Sequence, residues 1–171
     1  MKKGSPKRID IEYECNGICS VFVFCEPLKG WIHGVALLRR AALDYAHQIE
    51  WVLTKSPYKN CLKIKVVQDN LSTHVVGSLY KAFPPQKALE YAKRLEFHYT
   101  PKHGSWLNIA EIAISVLVNQ CIGRRISCVE QLNCEIVAWE LHHSSQEHTV
   151  NWHFTAEDVR IKLKKLCPVI L

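Results

Sequence analysis

The sequence predicts an α/β protein, a mixed sheet flanked by helices, and three observations carry that prediction. The chain opens on period-two alternation broken by a tight-turn dipeptide. From Ala41 the apolar period lengthens to that of a helix and then alternates with short apolar runs. The last third is helical in pattern. At 171 residues the chain has room for one domain with a substantial core and too little for two, so residues 1–171 are read as one domain.

In order along the chain, Ile9, Ile11 and Tyr13 alternate with Asp10, Glu12 and Glu14, the signature of a half-buried strand. Asn16-Gly17 is a hairpin dipeptide. "ICSVFVFCEP" returns as a more buried strand stopped by Pro27, and residues 30–38 form a third, which completes an antiparallel meander. Leu43, Ala46, Ile49, Val52 and Leu53 share one helical face, and Pro57 ends that helix. "CLKIKVV" is the next strand. A polar turn and a helix start follow it at once. "PPQKALEYAKRL" predicts a short helix after a proline turn, and "LEFHYT" a strand closed by Pro101. Helices are expected over residues 105–122, 129–142 and 155–166, the last opening on Thr155 with Glu157 and Asp158 in its first turn.

Composition narrows the function classes. With 48% hydrophobic and 22% charged residues the chain is globular rather than disordered. A net charge of +6 favours anionic partners such as nucleic acid, though a solvated basic surface explains it equally. The N-terminal lysines lack the apolar region of a signal peptide, and the longest apolar run, "IAEIAISVLV", is interrupted by Glu111 and far short of a membrane span. A soluble, cytoplasmic protein without a membrane partner is expected. The eight cysteines form no C-x-x-C pair and are expected to be reduced, with Cys25, Cys61 and Cys121 behaving as small hydrophobes. Cys134 with the histidines of "HHSSQEHTVNWH" offers a zinc reading whose spacing matches no standard site.

Asp69 falls at the carboxyl end of its strand, the edge at which ligands bind in open α/β sheets. A local alternative is a helix cap or an Asx-turn within "DNLSTH". "HGSWLNIAEIAIS" opens a helix with Ser105 as N-cap, on which Asn108, Glu111 and Ser115 share a face while Ile109, Ile112, Ala113 and Val116 pack on the sheet. Two such carboxylates can converge on Mg²⁺, which takes oxygen ligands and keeps waters that a phosphate can share. Two ions of this kind clamp the attacking and leaving oxygens of an in-line phosphoryl displacement.

"VVQDNLSTH" and "FHYTPKHGSWLNIAEIAISVL" resemble the second- and third-acid segments of the DDE superfamily endonuclease domain of bacterial insertion-sequence transposases related to the mariner group. "YECNGICSVFVFCEPLKGW" and "TVNWHFTAEDVRIKLKKLCP" are similar to a hairpin and to the C-terminal end of that family, so the resemblance covers nearly the whole chain. It implies a ribonuclease-H-like fold, DNA transposition by metal-dependent cleavage and strand transfer at transposon ends, and Asp69 and Glu111 as catalytic residues ligating Mg²⁺ or Mn²⁺. It also implies transposon-end DNA as partner, with a homodimer or another transposase chain as further possibilities.

In that family the first catalytic Asp lies upstream of the segment that matches Arg8 to Glu14, so the domain is expected to be truncated at its N-terminus and inactive as this chain. Asp10 and Glu12 belong to a solvent-facing alternation and are not promoted to the vacant role. His74, expected at the helix start after Asp69, either orients a carboxylate or caps locally. Lys102, His103 and Trp106, with Asn108, suit a DNA strand nearing the acids, although Trp106 equally suits packing. The pairs Arg39–Arg40, Arg124–Arg125 and Lys164–Lys165 fit helix-end or solvated charges, with DNA-backbone contact secondary, and Trp51, Trp139 and Trp152 fit the core. The alternative to an enzyme is a non-catalytic module that binds nucleic acid or a transposase partner.

Overall fold

The computed structural model describes residues 17–101, 108–145 and 155–163. The first expected strand (9–15), Asn16, Lys102, His103, Ser105, Trp106, Trp152, most of the histidine-rich segment and residues 164–166 lie outside the described residues. Strands β1 (Ser20–Glu26) and β2 (Trp31–Leu37) form an antiparallel hairpin in which Ser20 faces Leu37 and Glu26 faces Trp31. Its turn over Pro27–Gly30 closes with Gly30 at φ 65°, a left-handed backbone that glycine adopts without a Cβ clash. Helix α1 (Ala42–Thr54) follows, its start fixed by the Ala41 N–H donating to Asp44 Oδ2 at 2.8 Å. Then come β3 (Ile64–Gln68), α2 (Gly77–Ala82), α3 (Pro85–Lys93) and β4 (Leu95–Tyr99), with β3 and β4 parallel and Ile64 opposite Leu95. Helix α4 (Ala110–Leu117) runs into a π-helical turn (Val118–Ile122), and α5 (Val129–Ser145) and α6 (Ala156–Leu163) complete the described chain.

The mixed α/β class is as expected, but the described strands make two two-stranded sheets rather than one. Two apolar clusters lie on opposite faces of β1–β2. Phe22, Phe24, Val35 and Leu37 join α1 residues Tyr45, Ala46, Ile49 and Leu53, together with Ile64, Val66, Leu95 and Phe97 of the parallel pair. On the other face, Val21, Val23, Ile32 and Ala36 meet Leu117, Leu132, Ile136 and Trp139 of the C-terminal helices. Both sheets therefore rest on one α1 layer.

Two clasps complete the packing. The Arg94 guanidinium donates to the carbonyls of Leu53, Lys59 and Cys61 at 3.0, 2.7 and 3.0 Å, tying the end of α1 to the start of β3. Asn133 of α5 uses both ends of its amide on β2: Oδ1 accepts from the Ala36 N–H at 2.8 Å and Nδ2 donates to the Ala36 carbonyl at 3.0 Å. Glu140 accepts from the Gly34 N–H in the same row. The outer edge of β2 is thus satisfied by helix side chains instead of a further strand.

Several local expectations need correction. Leu43 is 49% exposed, and Tyr45 instead lies on the buried face of α1, one residue along from the expected stripe. The turn after β3 is longer than expected, so α2 starts at Gly77 and His74 lies in the turn before it. Helix α4 starts at Ala110, not at Ser105, because Asn108 takes the Ala110 N–H on Oδ1 at 3.2 Å and the Glu111 N–H on its carbonyl at 3.0 Å. Asn108 therefore precedes the helix instead of sharing its face, and Glu111 sits in the first turn. Of the expected core tryptophans, Trp139 is buried, and Trp51 is half-buried with His33 stacked on it at 3.7 Å. Cys121 is buried as expected, and Cys25 and Cys61 are half-buried. Burial raises the thiol pKa of both Cys25 and Cys121, so their thiolate forms are disfavoured.

Candidate functional site

The carboxyl end of β3 is built by its last residue. Alternation turns Ile64, Val66 and Gln68 towards the α1 layer, which makes Gln68 a buried polar side chain that needs partners. It finds them on both atoms. Its Oε1 accepts from Tyr45 Oη at 2.7 Å, and its Nε2 donates to the His74 carbonyl at 2.6 Å. Tyr99 Oη, from the end of β4, donates to the same carbonyl at 3.3 Å. Asn70 Nδ2 donates to the Thr100 carbonyl at 2.6 Å, and the Thr100 N–H reaches Gln68 O at 2.9 Å. The turn after β3 is therefore pinned to both parallel strands and to α1.

That pinning presents His74 to Asp69. The imidazole stacks on the Tyr45 ring at 4.6 Å between centroids, and Phe22 of β1 lies 6.4 Å away on another side. Its Nδ1 is 3.0 Å from Asp69 Oδ1. An ionised carboxylate only accepts hydrogen bonds, so Nδ1 carries the proton and donates. Asp69 remains half-exposed, its side chain at 47%, while the His74 side chain is at 21%. One carboxylate oxygen is thus fixed from the protein side, and the group still opens to solvent. Burial raises the Tyr45 pKa strongly, which keeps its hydroxyl protonated as the donor Gln68 needs.

Glu111 is exposed in the first turn of α4, in the same helical row as Ser115. Helix α4 packs through Ala113 and Val116 on the second cluster, the face of β1 that carries Val21 and Val23. On β3 the alternation sends Lys65 and Val67, and next Asp69, away from the α1 layer. Glu111 thus belongs to a helix on the β1 face opposite α1, while Asp69, just past the end of β3, meets His74. Among the described residues no group of three or more His, Cys, Asp or Glu side chains is gathered closely enough to hold a metal ion. Cys134 is exposed on α5, and the His148 and His153 of the zinc reading lie outside the described residues. An open apolar groove lined by Trp31, Ile112, Val116 and His143 contains neither acid.

The paired arginines divide. Arg124 is bound to Glu135 at 2.6 Å, whereas Arg39 and Arg40 are exposed in the β2–α1 connection. Sequence reasoning missed Tyr45 and Gln68. The available signal was a polar residue at the inward parity of the Ile64–Val66 strand.

These features define a mixed α/β protein with an oriented carboxylate at the end of a parallel strand, the position where such sheets hold ligands. The chain matches the DDE superfamily endonuclease family model over residues 1–133 and belongs to that family. No curated protein and no solved structure gives a significant match. No helix among the described residues is long and apolar enough to cross a membrane.

Proposed function

We propose that residues 1–171 form part of a ribonuclease-H-like catalytic domain of an insertion-sequence transposase related to the mariner group, acting on DNA at transposon ends. The observation that carries this reading is Asp69 at the carboxyl end of β3, oriented by His74 at 3.0 Å and still open to solvent. Membership of the DDE superfamily endonuclease family supports it.

The donor set fits a hard divalent cation in type: Asp69 and Glu111 are both solvent-accessible carboxylates. They would hold Mg²⁺ or Mn²⁺, which when bound neutralises charge on the phosphate and lowers the pKa of a bound water for in-line displacement. The chain's own part is positional. His74 restricts the Asp69 carboxylate through one oxygen, and the Tyr45–Gln68–Tyr99 bonds hold His74. Lys102, His103 and Trp106, ahead of Asn108 and α4, would guide a DNA strand towards the acids. A water and then a DNA 3′-hydroxyl would be the nucleophiles, by resemblance to the family.

A second reading is a non-catalytic nucleic-acid- or transposase-binding module. It is favoured by the lack of a three-ligand cluster among the described residues and by the exposed Arg39 and Arg40. Binding of transposon-end DNA, titrated with and without Mn²⁺, separates the two. The catalytic reading expects metal-dependent binding that Asp69→Ala and Glu111→Ala both abolish. Metal-independent, salt-sensitive binding that survives both substitutions would replace it with the second.

A further inference from the structure

β4 carries an open backbone edge. In a parallel ladder each residue turns its backbone groups to one neighbour only, and the direction alternates along the strand. Ile64 N–H reaches Arg94 O at 2.7 Å and Thr100 N–H reaches Gln68 O at 2.9 Å, so the even residues of β4 bond to β3. Leu95, Phe97 and Tyr99 therefore point their N–H and C=O groups to the other edge. Among the described residues no strand pairs with that edge and no loop backbone bonds to it. The strand matches β3 residue for residue over Leu95–Tyr99, so it has no bulge, and it holds neither proline nor lysine. Those are the devices by which an isolated edge blocks pairing.

The side chains of β4 decide what fits this edge. Leu95 and Phe97 face the apolar α1 layer with Ile64 and Val66. Glu96 and His98 face the other way, 37% and 52% exposed, and His98 Nε2 donates to Glu96 Oε1 at 2.8 Å. The Glu96 carboxyl is held below its ordinary pKa, chiefly by that bond, with Lys65 and Lys63 adding to it. The strand thus sets a carboxylate and an imidazole symmetrically about Phe97. Turned end for end about Phe97, it is its own complement: Glu96 comes opposite His98, and Leu95 opposite Tyr99.

We propose that β4 pairs antiparallel with β4 of a second copy of this chain, about a two-fold axis at Phe97, to give a sheet that continues from one protomer into its partner. Such a contact is isologous, so one strand supplies both halves of it. The outward backbone groups of Phe97 bond to those of its equivalent, and those of Leu95 to those of the partner's Tyr99. Glu96 then lies opposite the partner's His98 at a position without ladder bonds, where facing side chains are closest. Lys65 stands beside Glu96 in the β3–β4 register. The carboxylate therefore sits between the Lys65 ammonium and the partner's imidazole, and the two-fold axis repeats the arrangement. This match favours a second copy over a foreign strand, because the chain itself provides both sides of it. The inference is independent of any metal or DNA chemistry.

Analytical ultracentrifugation of the full chain across protein concentration, paired with hydrogen exchange at the Phe97 amide, tests it. The wild type should dimerise, and protection of the Phe97 amide should rise in step with the dimer fraction. Glu96→Lys sets basic groups face to face and His98→Glu sets carboxylates face to face, so each should weaken the dimer by about tenfold. Mixing the two variants should restore association, because the mixed dimer opposes the two introduced charges to each other and the two native groups to each other. An effect confined to either variant's own chain would not be rescued by mixing. Should a variant fail to fold, the concentration dependence of wild-type Phe97 protection decides alone. A chain that stays monomeric, or a dimer whose Phe97 amide exchanges rapidly, would overturn the proposal. So would a mixture that associates no better than its components.

Discussion

His74 Nδ1 lies 3.0 Å from Asp69 Oδ1, and the imidazole that makes this contact is itself stacked on Tyr45 at 4.6 Å. The pair is an acid with one oxygen fixed from the protein side, and a histidine whose own position is fixed by a buried ring. Outer partners that orient a metal-binding group contribute about 10–100-fold in affinity. His74→Ala should weaken Mn²⁺ binding by that order, as read by titration of the free ion's electron paramagnetic resonance signal. Unchanged affinity in a folded variant would show that Asp69 needs no orientation from His74.

Asn133 closes the outer edge of β2 with both halves of one amide, at 2.8 and 3.0 Å from the Ala36 backbone. Removing it leaves a half-buried N–H and C=O without their partners. The expected cost of Asn133→Ala is roughly 1–3 kcal/mol in urea unfolding, and Asn133→Asp, which can accept but not donate, should fall between. Equal stability of all three proteins would mean that water replaces the clasp.

What the sequence reveals and conceals follows from the range of each interaction. The β1–β2 hairpin was readable because alternation, Pro27 and Gly30 act locally. The acid at the end of β3 was readable because the apolar run stops there. Asn133 and Glu140 were not, since they satisfy β2 from residues 97 and 106 positions away. The start of α4 was misplaced because Asn108 takes the Ala110 and Glu111 N–H groups on its own side chain and carbonyl, which starts the helix after it. In the candidate site, Asp69, Glu111 and His74 were legible as residue types. The Tyr45–Gln68 bond that fixes the loop appears only once α1 is laid against β3.

Gly34 sits where β2 passes closest to α5. A Cβ built there would come within 3.1 Å of Ile136 Cγ2 and 3.7 Å of Glu140 Oε1. Ile136 is fully buried, so it has little room to yield. Gly34→Ala should therefore destabilise by about 1–3 kcal/mol through overpacking. Adding Ile136→Ala, which removes the obstructing Cγ2, should cost less in the Gly34→Ala background than in the wild type, a coupling that a double-mutant thermal-unfolding cycle measures. Strict additivity of the two substitutions would remove the steric explanation.

Glu50 links α1 to α3, accepting from Lys87 Nζ at 2.7 Å and from Tyr91 Oη at 3.0 Å. Its pKa lies below the ordinary carboxylate value, chiefly through the Lys87 hydrogen bond, with Tyr91 and His47 adding to it. A carboxyl group whose folded pKa is depressed binds fewer protons folded than unfolded. Its contribution to stability is then complete above the ordinary carboxylate pKa and is lost as the pH falls through the lowered folded value. Glu50→Gln should consequently be less stable than the wild type at neutral pH, and the difference should shrink to nothing in acid. Surface exposure of Lys87 and screening keep the neutral-pH difference small and make it smaller in high salt. Urea unfolding of both proteins from pH 7 down to pH 3 checks the sign. A difference that widens on acidification would show that Glu50 is not stabilised in its ionised form.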